Sequence, residues 1–336
     1  MIKKYLKINN QKNFDILRSK AFSLIELSIV ILIIGILVAG VTQSSRLIRR
    51  MRIATAQQIT SSSDVNSISD IVLWLESTQD FAFATGTNGG FDFNTNIYTD
   101  VDRPSNNDRI GRWNDIAIRN ATAKKSAIQN ALSRQPKYVD DGINGLPTLY
   151  FDAMNYNTFC LHAPLNIDRA LLPNLSIFVV YRWASYGNGQ NHRLWAADNG
   201  GYDRQAILSQ FYGPLYVNTD GISTGSSMMT ISNFNVRNKN NIFTYISRVG
   251  ISNGSMAYVN SSTSPNIFNE TNSSTSYPAL TIAGTNNQGN GTSFDGLCHD
   301  SSDVYIGEFI VFDRALNAEE RSSVEKYLAK KWSIKI

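Results

Sequence analysis

The sequence predicts a mainly β protein carried on one long N-terminal helix. That helix spans a membrane and continues as a stalk. An antiparallel β-sandwich follows, and a C-terminal helix closes it. Three observations predict this order. Residues 22–41 (FSLIELSIVILIIGILVAGV) hold twenty residues with a single charge, Glu26. From Asp70 onward, short runs rich in Val, Ile, Phe and Tyr alternate with clusters of Asn, Gly, Ser and Asp, the pattern of strands and turns. Near the end, Val324, Tyr327, Leu328 and Trp332 form one apolar stripe at helical spacing. The expected segments are a leader at 1–21, a transmembrane and stalk helix at 22–63, and a β-sandwich head at 68–336.

The leader is basic. Lys3, Lys4, Lys7, Lys12, Arg18 and Lys20 stand against Asp15 alone, a charge of +5, so the rest of the chain carries −1 of the net +4. The basic balance is therefore no nucleic-acid footprint on the head, and no nucleic-acid partner is expected. Charged residues make up only 17% of the chain. Asn, Ser and Thr fill much of the polar surface instead, which argues against a coiled coil or an acidic disordered chain.

As a helix, the twenty residues span about 30 Å, the hydrocarbon thickness of a bilayer. The run from Leu27 to Val41 has no charge and is apolar all round, unlike the one-sided stripe of a helix packed on a core. Basic residues precede the run, and Arg46, Arg49, Arg50 and Arg52 follow it. The modest excess before the span puts the N-terminus in the cytoplasm and the head outside. Residues 42–62 contain no Pro or Gly, and Leu47, Ile48, Met51, Ala54 and Ile59 fall near helical spacing. The helix is thus expected from Phe22 to about Ser62, a rod of about 60 Å. Ser61-Ser62-Ser63-Asp64 marks its end.

An ordinary secretory signal places its apolar region before the small residues at the cut. Here the small residue, Ala21, comes first and the apolar run follows at once. Ala21-Phe22-Ser23-Leu24-Ile25-Glu26-Leu27 resembles the cleavage and N-methylation motif of type IV prepilins and pseudopilins. The resemblance implies a prepilin peptidase/N-methyltransferase that cuts on the cytoplasmic side between Ala21 and Phe22. Phe22 becomes the N-methylated first residue, and the helix is kept in the bacterial inner membrane to pack with other pilin-like subunits. Gly is usual before the cut, and Ala21 is a departure that implies slower processing. A carboxylate in lipid costs about 2.5–3.5 kcal/mol on insertion scales. Glu26 can snorkel to the interface. The resemblance offers a further partner, the free amino terminus of a neighbouring subunit, which would set register during assembly. The plain alternative is an interfacial charge without a role.

In the head, strands are expected at Ile71–Leu75, Leu149–Asp152, Ser176–Tyr181, Ala206–Gln210, Phe243–Arg248, Met256–Val259, Ala279–Ala283 and Val304–Phe312. No repeat and no regular strand–helix alternation is visible, which leaves a two-sheet antiparallel sandwich. Asn317-Ala318-Glu319-Glu320 reads as the cap of the final helix. Acids lead that helix, and Lys326, Lys330 and Lys331 trail it, which suits its dipole.

Several stretches together, spanning about residues 68–336, resemble the laminin-G-like, concanavalin A-like jelly-roll domains of bacterial secreted proteins. They are Ile71-Val72-Leu73-Trp74-Leu75-Glu76, Gly111-Arg112-Trp113-Asn114-Asp115, Asn144-Gly145-Leu146-Pro147 with Phe151-Asp152, Ser176–Tyr181, and Ile306–Leu316 with the terminal helix. Glu76 stands where that family has Asp. The resemblance implies a binding head that presents loops to a glycan or protein, sometimes with calcium. Tyr186, Trp195, Tyr202, Phe211 and Tyr212 are candidates to stack on sugars, against core packing as the plainer role. Asp100, Asp102 and Asp108 are candidates for calcium, against a solvated loop. No metal site or obligatory cofactor is expected.

Cys160 and Cys298 fit no metal or redox spacing. A disulfide and two separate buried thiols both remain open. No catalytic residues are expected. Glu308 has no obvious partner, Glu319, Glu320 and Glu325 suit a solvated helix face, and no carboxylate pair of the glycosidase kind is visible. His162, His192 and His299 are scattered and form no zinc pattern. The reading is a minor pilin or pseudopilin of a type IV pilus or type II secretion-type filament, displaying a lectin-like head. The alternatives are a tethered carbohydrate- or protein-binding module that never assembles, and an anchored glycan-active enzyme.

Overall fold

The computed structural model describes residues 24–85, 91–92, 97–98, 104–117, 125–152, 159–165, 174–184, 191–197, 205–210, 219–224, 228–230, 238–248, 250–269, 279–284, 298 and 302–336. The chain forms two compact units, Met1–Ile48 and Arg49–Ile336. Helix α1 runs Leu24–Ser61, ends in the expected serine run, and is followed by a 3-10 turn at Asp64–Ser67. By length and composition it is long and apolar enough to cross a membrane, and protein buries none of its most apolar stretch.

From Arg49 onward α1 belongs to the second unit. Ile53 and Ala56 are buried there. Arg49 Nη2 lies 2.5 Å from Asp140 Oδ1, and Gln57 Nε2 donates to the Thr78 carbonyl at 2.9 Å.

The strands, in chain order, are β1 Ile71–Glu76, β2 Phe83–Thr85, β3 Phe91–Asp92, β4 Ile97–Tyr98, β5 Ile110–Trp113, β6 Ala127–Ile128, β7 Lys137–Ile143, β8 Leu146–Phe151, β9 Leu161–Pro164 and β10 Asn174–Trp183. Then come β11 Asn191–Ala197, β12 Gln205–Gln210, β13 Thr219–Thr224, β14 Met228–Thr230, β15 Asn241–Arg248, β16 Ser255–Val259, β17 Asn266–Phe268, β18 Ala279–Ile282 and β19 Val304–Phe312. Helix α2, Ala318–Trp332, closes the chain. One sheet has the order β17-β16-β15-β10-β19-β8-β7, with β1 also paired to β19. The other has the order β14-β13-β12-β11-β18-β9-β6-β5-β2, and β3 pairs with β4 alone. The pairings are antiparallel, so the expected two-sheet sandwich forms.

Strand β10 explains the layering. Ile177, Val179, Tyr181 and Trp183 lie in the core shared with second-sheet residues such as Leu161, Trp195 and Leu280. Phe178 and Val180 lie in a second core with Ile53, Ala56, Val324, Leu328 and Trp332. The first sheet is therefore buried on both faces, which is why its strands read as nearly continuous apolar runs. At β19 the pairing with β10 steps from Glu308–Val180 to Ile306–Tyr181, leaving Gly307 as the extra residue of a bulge. The bulge places Trp332 over Gly307, where a Cβ would overlap the indole ring.

Helix α2 starts as expected. The Asn317 side chain accepts from the Glu320 N–H at 2.9 Å, and Glu320 Oε2 accepts from the Asn317 N–H at 3.1 Å. The turn between β7 and β8 uses Asn144 and Gly145, both at positive φ (48° and 82°), the Asn-Gly chemistry of a tight hairpin. Lys330 and Lys331 stand in the last turn as expected, and the Lys331 side chain is fully buried.

Candidate functional site

Glu26 lies in α1, close to where the described residues begin. Around it Leu24, Ile25, Leu27 and Ile29 are exposed, as are the large aliphatic residues onward to Val41. Apolar surface of this extent calls for lipid or for other apolar helices. Ala21 and Phe22 lie outside the described residues.

In the head, Cys160 and Cys298 form a disulfide, with an S–S length of 2.05 Å and Cα atoms 5.7 Å apart. Gln129 Nε2 lies 3.3 Å from Cys298 Sγ. The link ties the residue before β9 to the segment that precedes β19.

A closed polar cluster sits on the helix side of the first sheet. Glu76 ends β1, Glu308 follows the Gly307 bulge, and Lys331 lies in the last turn of α2. None of the three side chains is exposed. Lys331 Nζ touches Glu76 Oε1 and stands 2.8 Å from Glu308 Oε2. Glu308 also accepts from Trp74 Nε1 at 2.7 Å, Tyr327 Oη at 2.7 Å and Trp332 Nε1 at 2.8 Å. Glu76 accepts from the Thr78 N–H at 2.8 Å, the Thr78 hydroxyl, and the Gln79 N–H at 2.9 Å. Tyr327 Oη is 3.2 Å from Thr60 Oγ1, so the cluster reaches α1. Burial, and then the charges of Glu308 and Glu76, push the Tyr327 phenol well above its ordinary pKa, and it remains a donor.

The sequence reading missed this cluster. It left Glu308 without a partner and read Lys331 only as one of the basic residues that trail α2 and suit its dipole. One signal was available, since Lys331 stands four residues after Tyr327 and so shares its apolar face. Glu325 is a second correction. It is fully buried and accepts from Thr244 Oγ1 at 2.8 Å, from Ser261 Oγ at 2.7 Å, and from Arg321.

A groove of about 460 Å³ opens near the end of α2, lined among others by Asn144, Asn238, Lys239, Asn240, Asn260 and Lys335. Asn240 Nδ2 donates to Asn144 Oδ1 at 2.7 Å, and Asn260 Nδ2 to Asn241 Oδ1 at 3.0 Å. Amides and ammonium groups at a concave surface suit a ligand rich in hydroxyl or anionic oxygen.

Of the candidate sugar-stacking aromatics, Trp195 is buried against Phe243, Tyr245 and Phe309, with ring centroids 5.8–6.2 Å away. It is a core residue. Tyr186, Tyr202, Phe211 and Tyr212 lie outside the described residues, as do Asp100 and Asp102. Asp108 Oδ2 accepts from the Ser105 N–H at 2.7 Å and braces a turn. Among the described residues, no three His, Cys, Asp or Glu side chains gather as a metal site. His162 is buried on β9, while His299 and the His192 side chain lie outside the described residues.

Residues 16–42 match the family described as the prokaryotic N-terminal methylation motif. The matched stretch contains Ala21, Phe22 and Glu26. The chain therefore begins with a prepilin-type methylation segment on an apolar helix. No curated protein matches the chain. Among solved structures, it is similar to a Trypanosoma rangeli sialidase in complex with sialic acid (11% identity, TM-score 0.41, covering 78% of this chain and 33% of that one). It is also similar to the receptor-binding domain of botulinum neurotoxin type G (16% identity, TM-score 0.38, 78% and 52%). A third is the binding domain of paraclostridial mosquitocidal protein 1 (12% identity, TM-score 0.43, 79% and 53%). The chain spans a third to about half of the length of these structures. Likeness at these scores leaves the reading of the head to its own residues.

Proposed function

We propose that this chain is a prepilin-like structural subunit, a minor pilin or pseudopilin, that displays a lectin-like binding head outside the inner membrane. The observation that carries the reading is the methylation motif at residues 16–42, set on a helix whose apolar surface is exposed all round. A prepilin peptidase/N-methyltransferase cuts between Ala21 and Phe22, and α1 stays in the bilayer until it enters a filament beside other pilin-like subunits. Glu26 then pairs with the amino terminus of a neighbouring subunit, removing two charges that lipid would penalise. The Cys160–Cys298 disulfide suits a head in an oxidising compartment.

The head acts by binding a glycan or protein rather than by catalysis. Glu76 and Glu308 are brought together, but they are sealed from solvent with Lys331 between them, so they face no cleft that could admit a glycosidic bond. The Asn- and Lys-lined groove near the end of α2 is the place where a hydroxyl-rich or anionic ligand would meet the head.

The test is Glu26→Ala in cells that carry the filament machinery. The wild-type chain is expected in the sheared filament fraction, and the variant is expected in the membrane but absent from filaments. Equal amounts of both in filaments would remove Glu26 from assembly. Absence of the wild-type chain from filaments would leave a tethered binding module.

A further inference from the structure

We propose that Lys331 and Glu76 become joined by an intramolecular isopeptide bond, made by the head's own residues with Glu308 carrying the protons. The geometry is that of reactants already in contact. Lys331 Nζ touches Glu76 Oε1 and lies 2.8 Å from Glu308 Oε2. Holding an amine against a carboxyl group makes their reaction effectively unimolecular. The site is also closed. The three side chains have no exposed surface, and Trp74, Tyr327 and Trp332 wall them in.

Each atom has a role. Glu308 takes a proton from the Lys331 ammonium and frees the nitrogen lone pair, as activation of a buried lysine requires. Glu308 hands that proton to a Glu76 oxygen, and Nζ attacks Cδ of the resulting neutral carboxylic acid. The N–H groups of Thr78 and Gln79 already donate to the two Glu76 oxygens, so charge that develops there meets fixed donors, as in an oxyanion hole. Glu308 passes protons from nitrogen to the departing oxygen and ends as a carboxylate. An ammonium and a carboxylate give an amide and one water. No oxidant, cofactor or second protein is needed.

The product also relieves the site. The starting cluster holds two carboxylates and one ammonium away from solvent, a costly arrangement. Condensation removes one buried charge of each sign. The remaining charge, on Glu308, keeps Trp74 Nε1, Tyr327 Oη and Trp332 Nε1 as donors. The bond would fasten the first strand of the head to its last helix. It does not depend on the filament reading.

The full chain, purified in detergent, reduced, alkylated and digested with trypsin, tests this by tandem mass spectrometry. The expected result is one branched peptide joining the Glu76 and Lys331 segments, uncut after Lys331. Its mass should be lower than the sum of the two by one water, about 18 Da. Glu308→Gln and Lys331→Met should each give two unbranched peptides at full mass. Separate wild-type peptides with cleavage after Lys331 would overturn the proposal and leave an ion network. A bond to Glu308 instead of Glu76, or a branched peptide in Glu308→Gln, would overturn it equally.

Discussion

Gly307→Ala is a change of one methyl group for which the structure predicts a large cost. A Cβ at Gly307 would overlap Cη2, Cζ2 and Cζ3 of Trp332. That indole cannot easily give way. It is fully buried, it sits in the last turn of α2, and its Nε1 donates to Glu308 at 2.8 Å. Overpacking of this kind costs about 1–3 kcal/mol. Pulling the indole off a charged acceptor adds about 1.5–3 kcal/mol. Taken together the loss is about 2.5–6 kcal/mol, and at about 2–4 °C per kcal/mol for a domain of this size the melting temperature should fall by roughly 5–24 °C. The control is Gly250→Ala. Gly250 has φ +78° and no atom within 4 Å of a new Cβ, so only backbone strain of about 1–2 kcal/mol applies. Thermal unfolding of the detergent-solubilised chain, followed by near-UV circular dichroism, should rank Gly307→Ala well below Gly250→Ala. Trp332→Leu should return part of the loss when combined with Gly307→Ala. Equal melting temperatures for the two glycine variants would refute the placement of Trp332 on the bulge.

Two further predictions concern titration. The phenol of Tyr327 is raised well above its ordinary value, first by burial and then by Glu308 and Glu76. A raised folded-state pKa stabilises below the unfolded value of about 10 and is lost as pH rises beyond it. Tyr327→Phe should therefore weaken the head at neutral pH, by about 1.5–3 kcal/mol for a hydrogen bond to a charged group, yet flatten its alkaline unfolding. An unchanged alkaline limb would contradict this. The carboxyl of Glu320 is held low by its hydrogen bond to Arg314, with Arg314 Nη2 at 2.6 Å from Oε1. A lowered folded-state pKa stabilises above the unfolded value of about 4.3 and is lost as pH falls through it. Glu320→Gln should reduce the acid dependence of unfolding below about pH 4.5, measured by urea titration at stepped pH, whereas an unaltered slope would assign that dependence to other groups.

How much of this was legible follows from what each residue packs against. The eight strands expected from apolar runs all form, because the sheet carrying most of them is buried on two faces and needs Val, Ile, Phe and Tyr throughout. Strands such as β7, with Asp140, Asp141 and Gly142, and β13, Thr219–Thr224, were missed. Their place is fixed by ladder pairing to β8 and to β12, which leaves little mark on composition. The cap of α2 was legible because it is local chemistry between Asn317 and Glu320. The Glu76–Lys331–Glu308 cluster joins residues 255 and 23 positions apart, so it needed the phase of α2 against the sheet. The Cys160–Cys298 spacing says nothing about pairing, and the sequence left both states open. The methylation segment was legible at once, because its information is contained in a few adjacent residues.

The central claim is that α1 enters a filament pathway by cleavage before Phe22. Mass spectrometry of the N-terminal peptide, from the chain expressed with a prepilin peptidase, tests it most directly. The account predicts a chain that begins at N-methylated Phe22, with slower processing than an Ala21→Gly variant. A chain that keeps Met1, or one cut beyond Val41, would contradict it.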